Sequence, residues 1–560
     1  MLNTGLERLS REIQRIIGIT LPDEQLEGLL ELKPLSTQSL NRFFQIRARV
    51  QLKKGQPDRV VQAIDRAHGG PANAQPPVPS RRSVVDSDLS ALATRQGMDL
   101  AQALNSLVRD LHFDRVNRDL RLPRYGGDYE IRPFPLPTSP VDKHEMKVRL
   151  RDAVKTSRRS DDALLARRIQ QAFSLFMFGE ALHGKALEEL FGEERRASLD
   201  EGFRLGLFVD AEGQAMRMNG LSLFSRTLRN GDVIHVFADT PPHFEARAEE
   251  QRVYVGADSY ELMERVSEMS EISGYCVEMG SGSGVQLIAA LKQHPAITKA
   301  IGQERDRRAL HVSLFNAALN GVAEKMVVVD DDDGLRGALD GHPISFAMTN
   351  PPFIAMPAWI DIDPEDRPVL SRLMDTRETD HGLQGDLRTV FPRAGWGGED
   401  GLDVTRQFID AILPLLARES QMVIYSQCAG DTDGPRVLQD YIQARGGIRF
   451  AFESVKARTL VVKQAETDRV VEGQNPVSVS ADEAATSVAR LIVAALMAKN
   501  EPRRLRVSVR KGGAEHVLLM KFARRIEDSY RRQGVTHFHD GFATLTMEHA
   551  RIADKLPASM

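Results

Sequence analysis

Between residues 275 and 349, short apolar runs alternate with longer segments of helical periodicity. The runs "YCVEM", "KMVVVD" and "PISFAMT" are short and almost entirely apolar, which is typical of strands buried on both faces of a sheet. Between such runs lie segments like "SGVQLIAALKQH", whose apolar residues recur at the spacing of a helix. Because strands and helices alternate, the pattern predicts a largely parallel, doubly wound α/β sheet of the Rossmann-like type.

Further strand-like runs follow in the second half of the chain. "QMVIYS", "IRFAFE" and "RTLVVK" are predicted to supply three more strands. The last part, residues 471–560, is predicted as a C-terminal extension with a helix at 481–499 and an alternating strand at 505–510. This extension is expected either to add to the sheet or to form a small lid.

The N-terminal part of the chain has a helical pattern. Its apolar residues fall on one face of an amphipathic helix within residues 2–52. A Pro- and Gly-rich segment at 69–83 predicts a linker or long loop, and a second helical stretch follows at 88–111. Residues 1–140 are therefore predicted to form a helical N-terminal module.

Residues 141–250 have a different character. A helix is predicted over 164–182, followed by short strands around a turn at 211–213, which together indicate a small α+β module. The segment "VYVGADSYELMERV" is then predicted as a short strand that leads into a helix. This places the main α/β domain at 251–470, ahead of the C-terminal extension at 471–560.

The composition narrows the possible environments. The chain has 560 residues, only two cysteines and a net charge of −4. Two cysteines cannot build a disulfide framework, and neither a secretory signal nor a membrane span is evident, so we expect a cytoplasmic location. The charge does not indicate a dedicated nucleic-acid binder, although a local basic face stays open. The sequence does not indicate an oligomeric state, and "HFHD" at 537–540 is interpreted as a surface turn rather than a metal site.

A glycine-rich turn is the first candidate site. Gly280, Gly282 and Gly284 stand between a predicted strand and a predicted helix, where glycine permits a tight turn and close approach to a ligand. The spacing is G-x-G-x-G, without the longer dinucleotide pattern or a phosphate-binding lysine. Glu278 ends the preceding strand, and it is interpreted either as a solvated strand end or as an acid that faces a ligand's ammonium group.

Acids also follow the next two predicted strands. Glu304 ends the second strand, where an acid about twenty residues after the glycines can accept both hydroxyls of a ribose. The alternative is an ordinary surface carboxylate. Four acids at 330–333 end the third strand, and although such a run is usually a solvated turn, Asp331 or Asp332 is predicted to accept a hydrogen bond from an adenine amine.

The fourth predicted strand ends in "TNPPF", whose centre is Asn350 and Pro351. A planar nitrogen with two hydrogens can donate to the Asn350 side-chain oxygen and to the rigid Pro351 carbonyl. Such a pair of acceptors would orient the nitrogen lone pair, and Phe353 would offer a flat apolar face to the substrate. A plain turn that ends the strand is the alternative.

Together, "VEMGSGSGVQL", "GQERDRRALHVSLFNAALNGV" and "SFAMTNPPFI" resemble the class I S-adenosylmethionine-dependent methyltransferases with an NPPF motif. Within that class, the chain is similar to protein-glutamine methyltransferases that act on release factors and to exocyclic-amine nucleobase methyltransferases. "VYVGADSYELMERV" and "GGEDGLDVTRQFI" fit the same group. The resemblance implies that residues 251–470 form a class I methyltransferase domain that binds S-adenosylmethionine.

The resemblance also implies roles for individual residues. The glycines would frame the methionine part of the cofactor, with Glu278 at its amino end, Glu304 at its ribose and Arg305 beside its adenine. The implied catalytic residues are Asn350, Pro351 and Phe353. The implied cofactor-binding residues are Glu278, Gly280, Ser281, Gly282, Gly284, Glu304, Arg305, Asp331, Asp332 and Asn350.

The sequence indicates the type of reaction more clearly than it indicates the molecule that accepts the methyl group. A Gln or Asn side chain of a protein or peptide is expected first, with a nucleobase amine in RNA or DNA or a small metabolite as alternatives. A protein that binds the cofactor but has lost turnover is the alternative of another class. Four further side chains could line a substrate pocket: Trp359, His381, Trp396 and Tyr425. Most of them lie in the long segment between the NPPF motif and Gly397, and the alternative is that this segment is a peripheral insertion.

Overall fold

The structure of the protein is a computed structural model. It describes residues 89–114, 163–211, 215–240, 252–357, 395–461, 469–476, 478–498 and 513–548, and a few isolated positions before residue 163. Of the sequence predictions, the helix within 2–52, the loop at 69–83 and the strand at 505–510 lie outside the described residues. The chain divides into two compact units, Met1–Arg81 and Arg82–Met560, and the elements below belong to the second.

Fifteen strands are present among the described residues. They are β1 (Leu182–His183), β2 (Phe208–Ala211), β3 (Ala215–Met218), β4 (Leu221–Thr227), β5 (Val233–Asp239), β6 (Gly274–Met279), β7 (Ile297–Gln303), β8 (Met326–Val329), β9 (Ile344–Thr349), β10 (Leu416–Gly430), β11 (Ile448–Ser454), β12 (Lys456–Val461), β13 (Arg469–Pro476), β14 (Ser478–Ser480) and β15 (His537–Met547). Seven of them form the path of one large sheet in the order β11-β15-β10-β9-β6-β7-β8.

The α-helices described alongside these strands mostly follow them in sequence. They are α1 (Arg95–Asp110), α2 (Ala163–Ala172), α3 (Gly184–Phe191), α4 (Arg196–Arg204), α5 (Ala257–Ser267), α6 (Val285–Gln293), α7 (Arg307–Leu319), α8 (Asp332–Leu339), α9 (Asp403–Ile412), α10 (Arg436–Gln443), α11 (Ala481–Ala498) and α12 (Ala514–Arg532). Short helical turns lie at Leu89–Ala93, Phe173–Met177, Glu193–Arg195 and Leu413–Leu415.

The large sheet is mainly parallel. The pairs β6/β7, β7/β8, β6/β9 and β9/β10 are parallel, whereas β15 is antiparallel to both β10 and β11. Numbered within this domain, the order is the common doubly wound order 3-2-1-4-5-6 with one reversed strand inserted between the fifth and the sixth. The predicted doubly wound α/β sheet is therefore confirmed.

The C-terminal part of the chain contributes to this sheet. β15 belongs to the predicted extension at 471–560, and its ten register pairs with β10 run from Gln421 opposite Thr546 to Gly430 opposite His537. The extension was expected either to add to the sheet or to form a small lid, and the structure shows that it adds a strand to the sheet. The helices α11 and α12 pack on each other just before it and form a separate apolar cluster.

Two predicted strands differ from the structure. "RTLVVK" lies in β12, which pairs with β13 in a separate two-stranded sheet rather than with the large sheet. The segment at 253–256 is irregular. The Asp239 carboxylate accepts from the backbone N–H groups of Arg252 and Val253 at 2.8 and 2.9 Å, and the Asp239 backbone N–H at the end of β5 donates to the Val253 carbonyl at 2.9 Å. The helix predicted over 164–182 ends earlier, before Gly179, whose φ of +62° leaves the helical region.

The predicted α+β module contains the sheet β1-β3-β2 and the hairpin β4–β5. It shares one hydrophobic core with the α/β domain, and the rings of Phe237 and Phe315 lie 5.7 Å apart within it. Buried polar contacts join the same elements: the Asn316 side chain pairs with the backbone of Phe237 at 2.8 and 2.9 Å. The predicted boundaries at 140, 250 and 470 stay predictions.

Candidate functional site

The carboxyl ends of β6, β7 and β9 meet at one edge of the large sheet. Met279 is opposite Gln303 on one side and opposite Thr349 on the other. In open α/β sheets, ligands bind outside the carboxyl ends of the strands at the point where the strand order reverses, which here is the crevice between β6 and β9. The predicted site residues at 278–284 and 350–353 lie directly at this crevice.

The glycine turn is built as the sequence predicts. Gly280, Gly282 and Gly284 have φ values of +67°, +52° and +75°, a region that favours glycine. A Cβ on Gly280 would have no neighbouring atom within 4 Å, whereas one on Gly284 would overlap the Ser313 side chain of α7. The turn is therefore packed at its helix end and open at its strand end, and Ser281 lies buried between the two.

Glu278 is fully buried at the end of β6. Neither oxygen of its carboxylate has a hydrogen-bond partner among the described residues. Burial raises the pKa of this carboxyl well above its usual range, and nearby Glu304 raises it further, while the backbone N–H of Leu287 in the first turn of α6 opposes the change. A buried acid without a partner is costly, and a cationic group at the open end of the turn would stabilise its charge.

Glu304 follows β7 and holds the glycine turn. Its Oε2 accepts from the backbone N–H of Gly282 at 2.8 Å, and its Oε1 accepts from that of Asp306 at 2.9 Å. Burial raises the pKa of this carboxyl, while the N–H groups of Asp306 and Gly282 oppose the change. Each carboxylate oxygen has two lone pairs, so Glu304 can still accept hydroxyl groups of a ligand.

The other predicted cofactor residues lie near the tips of β7 and β8. Arg305 is exposed directly after Glu304. Asp331 caps α8 by accepting from the backbone N–H of Gly334 at 2.7 Å, and Asp332 accepts from Gln303 Nε2 at 2.6 Å. Asp332 is thus hydrogen-bonded to the tip of β7, whereas Asp331 caps the N-terminus of α8. Contact of either aspartate with adenine stays a prediction.

Asn350 is half-buried at the end of β9, beside the start of the glycine turn. The preceding Thr349 donates its hydroxyl to the Met279 carbonyl at 2.9 Å, which fixes the two strand ends together. The Asn350 Nδ2 group donates to Asp258 Oδ2 at 2.8 Å, while its Oδ1 is buried without a partner among the described residues. The side chain therefore keeps one acceptor oxygen without a partner among the described residues, shielded from solvent at the end of β9.

Aromatic rings line the same edge. Phe353 lies edge-to-face with Tyr425 of β10 at 5.7 Å between ring centroids, and Tyr425 lies edge-to-face with Phe542 of β15 at 5.5 Å. Pro351 is buried next to Asn350. The NPPF segment thus presents a rigid backbone and a flat apolar surface beside the Asn350 acceptor.

A glycine-rich segment at 395–403 packs along the NPPF motif. The backbone N–H of Ile354 donates to the Gly395 carbonyl at 2.9 Å, and the N–H of Gly397 donates to the Ile354 carbonyl at 3.0 Å. A Cβ on Gly397 would lie 2.7 Å from the Pro352 carbonyl oxygen, so only glycine fits this close approach. The "GGEDGLD" stretch therefore supports the backbone that follows the candidate site.

The weaker candidates are only partly described. Tyr425 lies at the site, while the Trp396 indole N–H donates to the Met356 carbonyl at 2.9 Å; Trp359 and His381 lie outside the described residues.

The segment "HFHD" lies in β15 rather than in the predicted surface turn, and His539 Nε2 is 2.7 Å from the Asp431 carbonyl oxygen. Within the described ranges, no group of three or more His, Cys, Asp or Glu side chains is arranged to hold a metal ion. None of the described helices is long and apolar enough to cross a membrane.

Sequence reasoning missed Asp258 as a site residue. It stands in the first turn of α5, where an acid is ordinarily explained by the helix dipole. Its partner Asn350 lies 92 residues away, and no local pattern indicates such a contact. Its place within "VYVGADSYELMERV", a stretch that already fits the family resemblance, is the only signal that pointed to it.

No protein-family model and no curated protein matches the sequence. Precorrin-6y C5,15-methyltransferase from Geobacter metallireducens is a structural neighbour with 13% identity and a TM-score of 0.23, covering 39% of this chain and 86% of its own. The O-methyltransferase TomG from Streptomyces achromogenes, solved in complex with S-adenosylmethionine, has 10% identity and a TM-score of 0.24 over 53% of this chain and 82% of its own.

A precorrin 8w decarboxylase from Methanobacterium thermoautotrophicum has 10% identity and a TM-score of 0.22, covering 39% of this chain and 86% of its own. At these low identities and scores, the three structures carry no argument about the activity or cofactor of this chain. The predicted Rossmann-like fold rests on the strand order of the large sheet and is confirmed, whereas its assignment to the class I methyltransferases stays a prediction.

Proposed function

We propose that the protein is an S-adenosylmethionine-dependent N-methyltransferase that acts on a planar nitrogen carrying two hydrogens. The observation that carries this proposal is the buried, unused Oδ1 of Asn350, which lies at the strand end next to the glycine turn and the unpaired Glu278. One edge of the sheet thus combines an acceptor for an N–H group with a carboxylate suited to a cation.

The described residues fit the cofactor in three respects. Glu278 is a buried carboxylate without a partner, which suits the ammonium or sulfonium charge. Glu304 is held in place by two backbone N–H groups and keeps lone pairs for ribose hydroxyls. Gly280 leaves open space at the strand end of the turn, where a ligand can approach the backbone closely.

When bound, S-adenosylmethionine supplies the methyl group as an electrophilic carbon. The chain itself holds the acceptor: Asn350 Oδ1 accepts one N–H of the nitrogen, and the Pro351 carbonyl accepts the other. These two hydrogen bonds draw the lone pair out of the planar system, and Phe353 packs against the flat part of the substrate. Positioning of this kind can contribute up to about 7–11 kcal/mol of barrier reduction, and no strong base is needed because the methylated nitrogen loses its proton readily.

We propose a Gln or Asn side chain of a protein or peptide as the acceptor. The segment that packs on Phe353 carries Glu399, Asp400 and Asp403, and Arg406 pairs with both Asp400 and Asp403. Burial and the neighbouring Asp400 raise the pKa of Asp403, while Arg406 lowers it. Three acids beside one arginine leave this segment negatively charged. Such a rim disfavours the phosphates of a nucleic acid and supports a neutral acceptor. Both cysteines are buried free thiols, which supports the proposed cytoplasmic location.

The cofactor is tested by isothermal calorimetry of the full chain with S-adenosylmethionine. We expect saturable binding, and a loss of about tenfold or more in affinity for Glu304→Gln. The neutral amide is a weaker acceptor of ribose hydroxyls, and its single oxygen cannot accept from both Gly282 and Asp306. Asp333→Asn is the matched control, since its side chain is 93% exposed at the neighbouring strand tip. Absence of binding by the wild type would refute the proposed cofactor.

The acceptor class is tested with methyl-labelled S-adenosylmethionine and a cell lysate. The products are digested separately with protease and with nuclease before the released label is counted. Release by protease alone supports the protein amide, and release by nuclease alone contradicts it in favour of a nucleobase. Label confined to small molecules would favour a metabolite acceptor, and binding without any transfer would favour a protein that has lost turnover.

A further inference from the structure

The side chain of Asp258 connects two residues on different elements. Its Oδ2 accepts from Asn350 Nδ2 at 2.8 Å, and its Oδ1 accepts from the Tyr254 hydroxyl at 2.9 Å. Both oxygens are therefore engaged, and one of the contacts reaches the residue to which the proposed function assigns the acceptor nitrogen. Neither the glycine turn nor Glu304 uses this carboxylate.

The contact fixes which way the Asn350 carboxamide points. A carboxamide has an NH₂ group on one side and an oxygen on the other, and a half-turn about its last bond exchanges them. An ionised carboxylate only accepts hydrogen bonds, so the group that faces Asp258 has to be the NH₂. The oxygen is consequently directed away from Asp258, and it is this Oδ1 that is buried without a partner among the described residues.

The segment that carries Asp258 is itself anchored. Arg252 pairs with Asp306 at 2.7 Å, next to the acid that holds the glycine turn, and the Asp239 carboxylate accepts from the N–H groups of Arg252 and Val253. A Cβ on Gly256 would overlap both the Tyr254 hydroxyl and Asp258 Oδ1. Glycine at 256 is therefore required for the Tyr254–Asp258 contact to form.

We propose that Asp258 is a positioning residue, which holds the Asn350 carboxamide with Oδ1 directed at the acceptor nitrogen. The inference rests on the proposed function and adds a residue that acts through Asn350 without touching the substrate. If the carboxamide turned over, its NH₂ would face the N–H groups of the acceptor, and two donors cannot form a hydrogen bond. Asp258 thus sets the fraction of the enzyme that is competent for transfer.

The test compares Asp258→Asn with the wild type. The carboxamide introduced at position 258 can face Asn350 with its oxygen or with its NH₂ group, so it no longer enforces one orientation of the Asn350 side chain. The hydrogen bond to Asn350 Nδ2 also loses its charge. We therefore expect the maximal rate to fall about 10-fold, within the loss of up to about 100-fold that small misplacements cause. The affinity for S-adenosylmethionine and the melting temperature should stay close to those of the wild type. Rates are measured as transfer of labelled methyl into the protein fraction of a lysate, over a series of lysate concentrations.

Tyr254→Phe is the matched control. It removes the other hydrogen bond of the same carboxylate but leaves the contact between Asp258 and Asn350. We expect a maximal rate within about threefold of the wild type, since Asp258 remains a pure acceptor. An equal loss in both variants would mean that the segment as a whole, rather than the contact with Asn350, is responsible, and would overturn the proposal.

A double-mutant cycle tells whether Asp258→Asn lowers the rate by misplacing the Asn350 side chain or by disturbing the structure in general. Because Asp258 acts through Asn350, adding Asp258→Asn to Asn350→Ala should cause no further loss of rate. The proposal is overturned if Asp258→Asn retains the wild-type rate, or if its effect is as large in the Asn350→Ala background as in the wild type. A wild type that transfers no label would instead refute the proposed function, which distinguishes the two failures.

Discussion

Between α7 and the β4–β5 hairpin, Arg308 is 1% exposed and donates to Asp239 at 2.9 Å. At the carboxyl edge of the large sheet, Glu278 is 0% exposed and its carboxylate has no partner among the described residues. Both regions bury an ionisable side chain completely. In the first, the opposite charge comes from the chain itself, and in the second the described part of the chain supplies none.

The difference between the paired Arg308 and the unpaired Glu278 indicates that the first region stabilises the fold and the second binds a ligand. A paired buried charge needs no ligand. The surrounding network is completed by the side chains of Asn316 and Asn320, which bond to the backbone of Phe237 and His235 respectively. An unpaired buried acid raises the free energy of the folded chain and is stabilised when a cation binds. We therefore assign the Arg308 region to holding the two modules together and the Glu278 region to the ligand.

Asp239→Ala should break the paired region. It leaves the Arg308 guanidinium buried without its charge partner, which typically costs about 3–5 kcal/mol in free energy of unfolding. Urea denaturation measures this loss. Asp333→Ala removes an exposed partner of Arg336 and should leave the free energy of unfolding almost unchanged, so a small effect of Asp239→Ala would contradict the assignment.

The paired region should also lose stability in acid through His235. This side chain is buried beside Ser225, and burial lowers its pKa to about 4 from 6.5. Because the unfolded chain takes up the proton first, the contribution of about 3 kcal/mol is present above pH 6.5 and is lost as the pH falls toward 4. The measurement is the slope of stability against pH in wild type and His235→Gln, and equal slopes would count against it.

Glu278→Gln should separate binding from stability. The variant removes the charge that we assign to the cation, so the affinity for S-adenosylmethionine should fall about 10- to 100-fold, as for other charged hydrogen bonds. The free energy of unfolding should not fall appreciably, because no partner among the described residues is lost. Calorimetry and urea denaturation of the same variant give both values, and a large loss of stability would show that Glu278 has a structural partner.

Glu278 should also give the opposite pH dependence to His235. Its pKa is raised in the folded chain, so its contribution to stability is present below its unfolded pKa of about 4.5 and is lost as the pH rises. Binding of a cation favours the ionised form and should release protons. Binding heats measured in two buffers of different ionisation enthalpy detect this release, and it should disappear in Glu278→Gln.

The sequence predicted the arrangement at the ends of β6 and β7 better than the contacts around Asn350. Glycines with a fixed spacing and acids at successive strand ends are local signals, and the structure brings Gly280, Glu278 and Glu304 together as expected. The contact between Asp258 and Asn350 depends on the fold bringing α5 to the end of β9, and no periodicity encodes it. The reversed strand β15 was equally hard to predict, because it is separated from β11 by β12, β13, β14, α11 and α12.

Asn350 carries the proposed transfer, and its removal tests that role directly. Wild type and Asn350→Ala are compared for S-adenosylmethionine affinity by calorimetry and for transfer of labelled methyl into the protein fraction of a lysate. We predict that the variant keeps its affinity within about threefold and loses at least about 100-fold in transfer rate, because its N–H acceptor is gone while Glu278 and Glu304 remain. Transfer at the wild-type rate by Asn350→Ala would contradict the account.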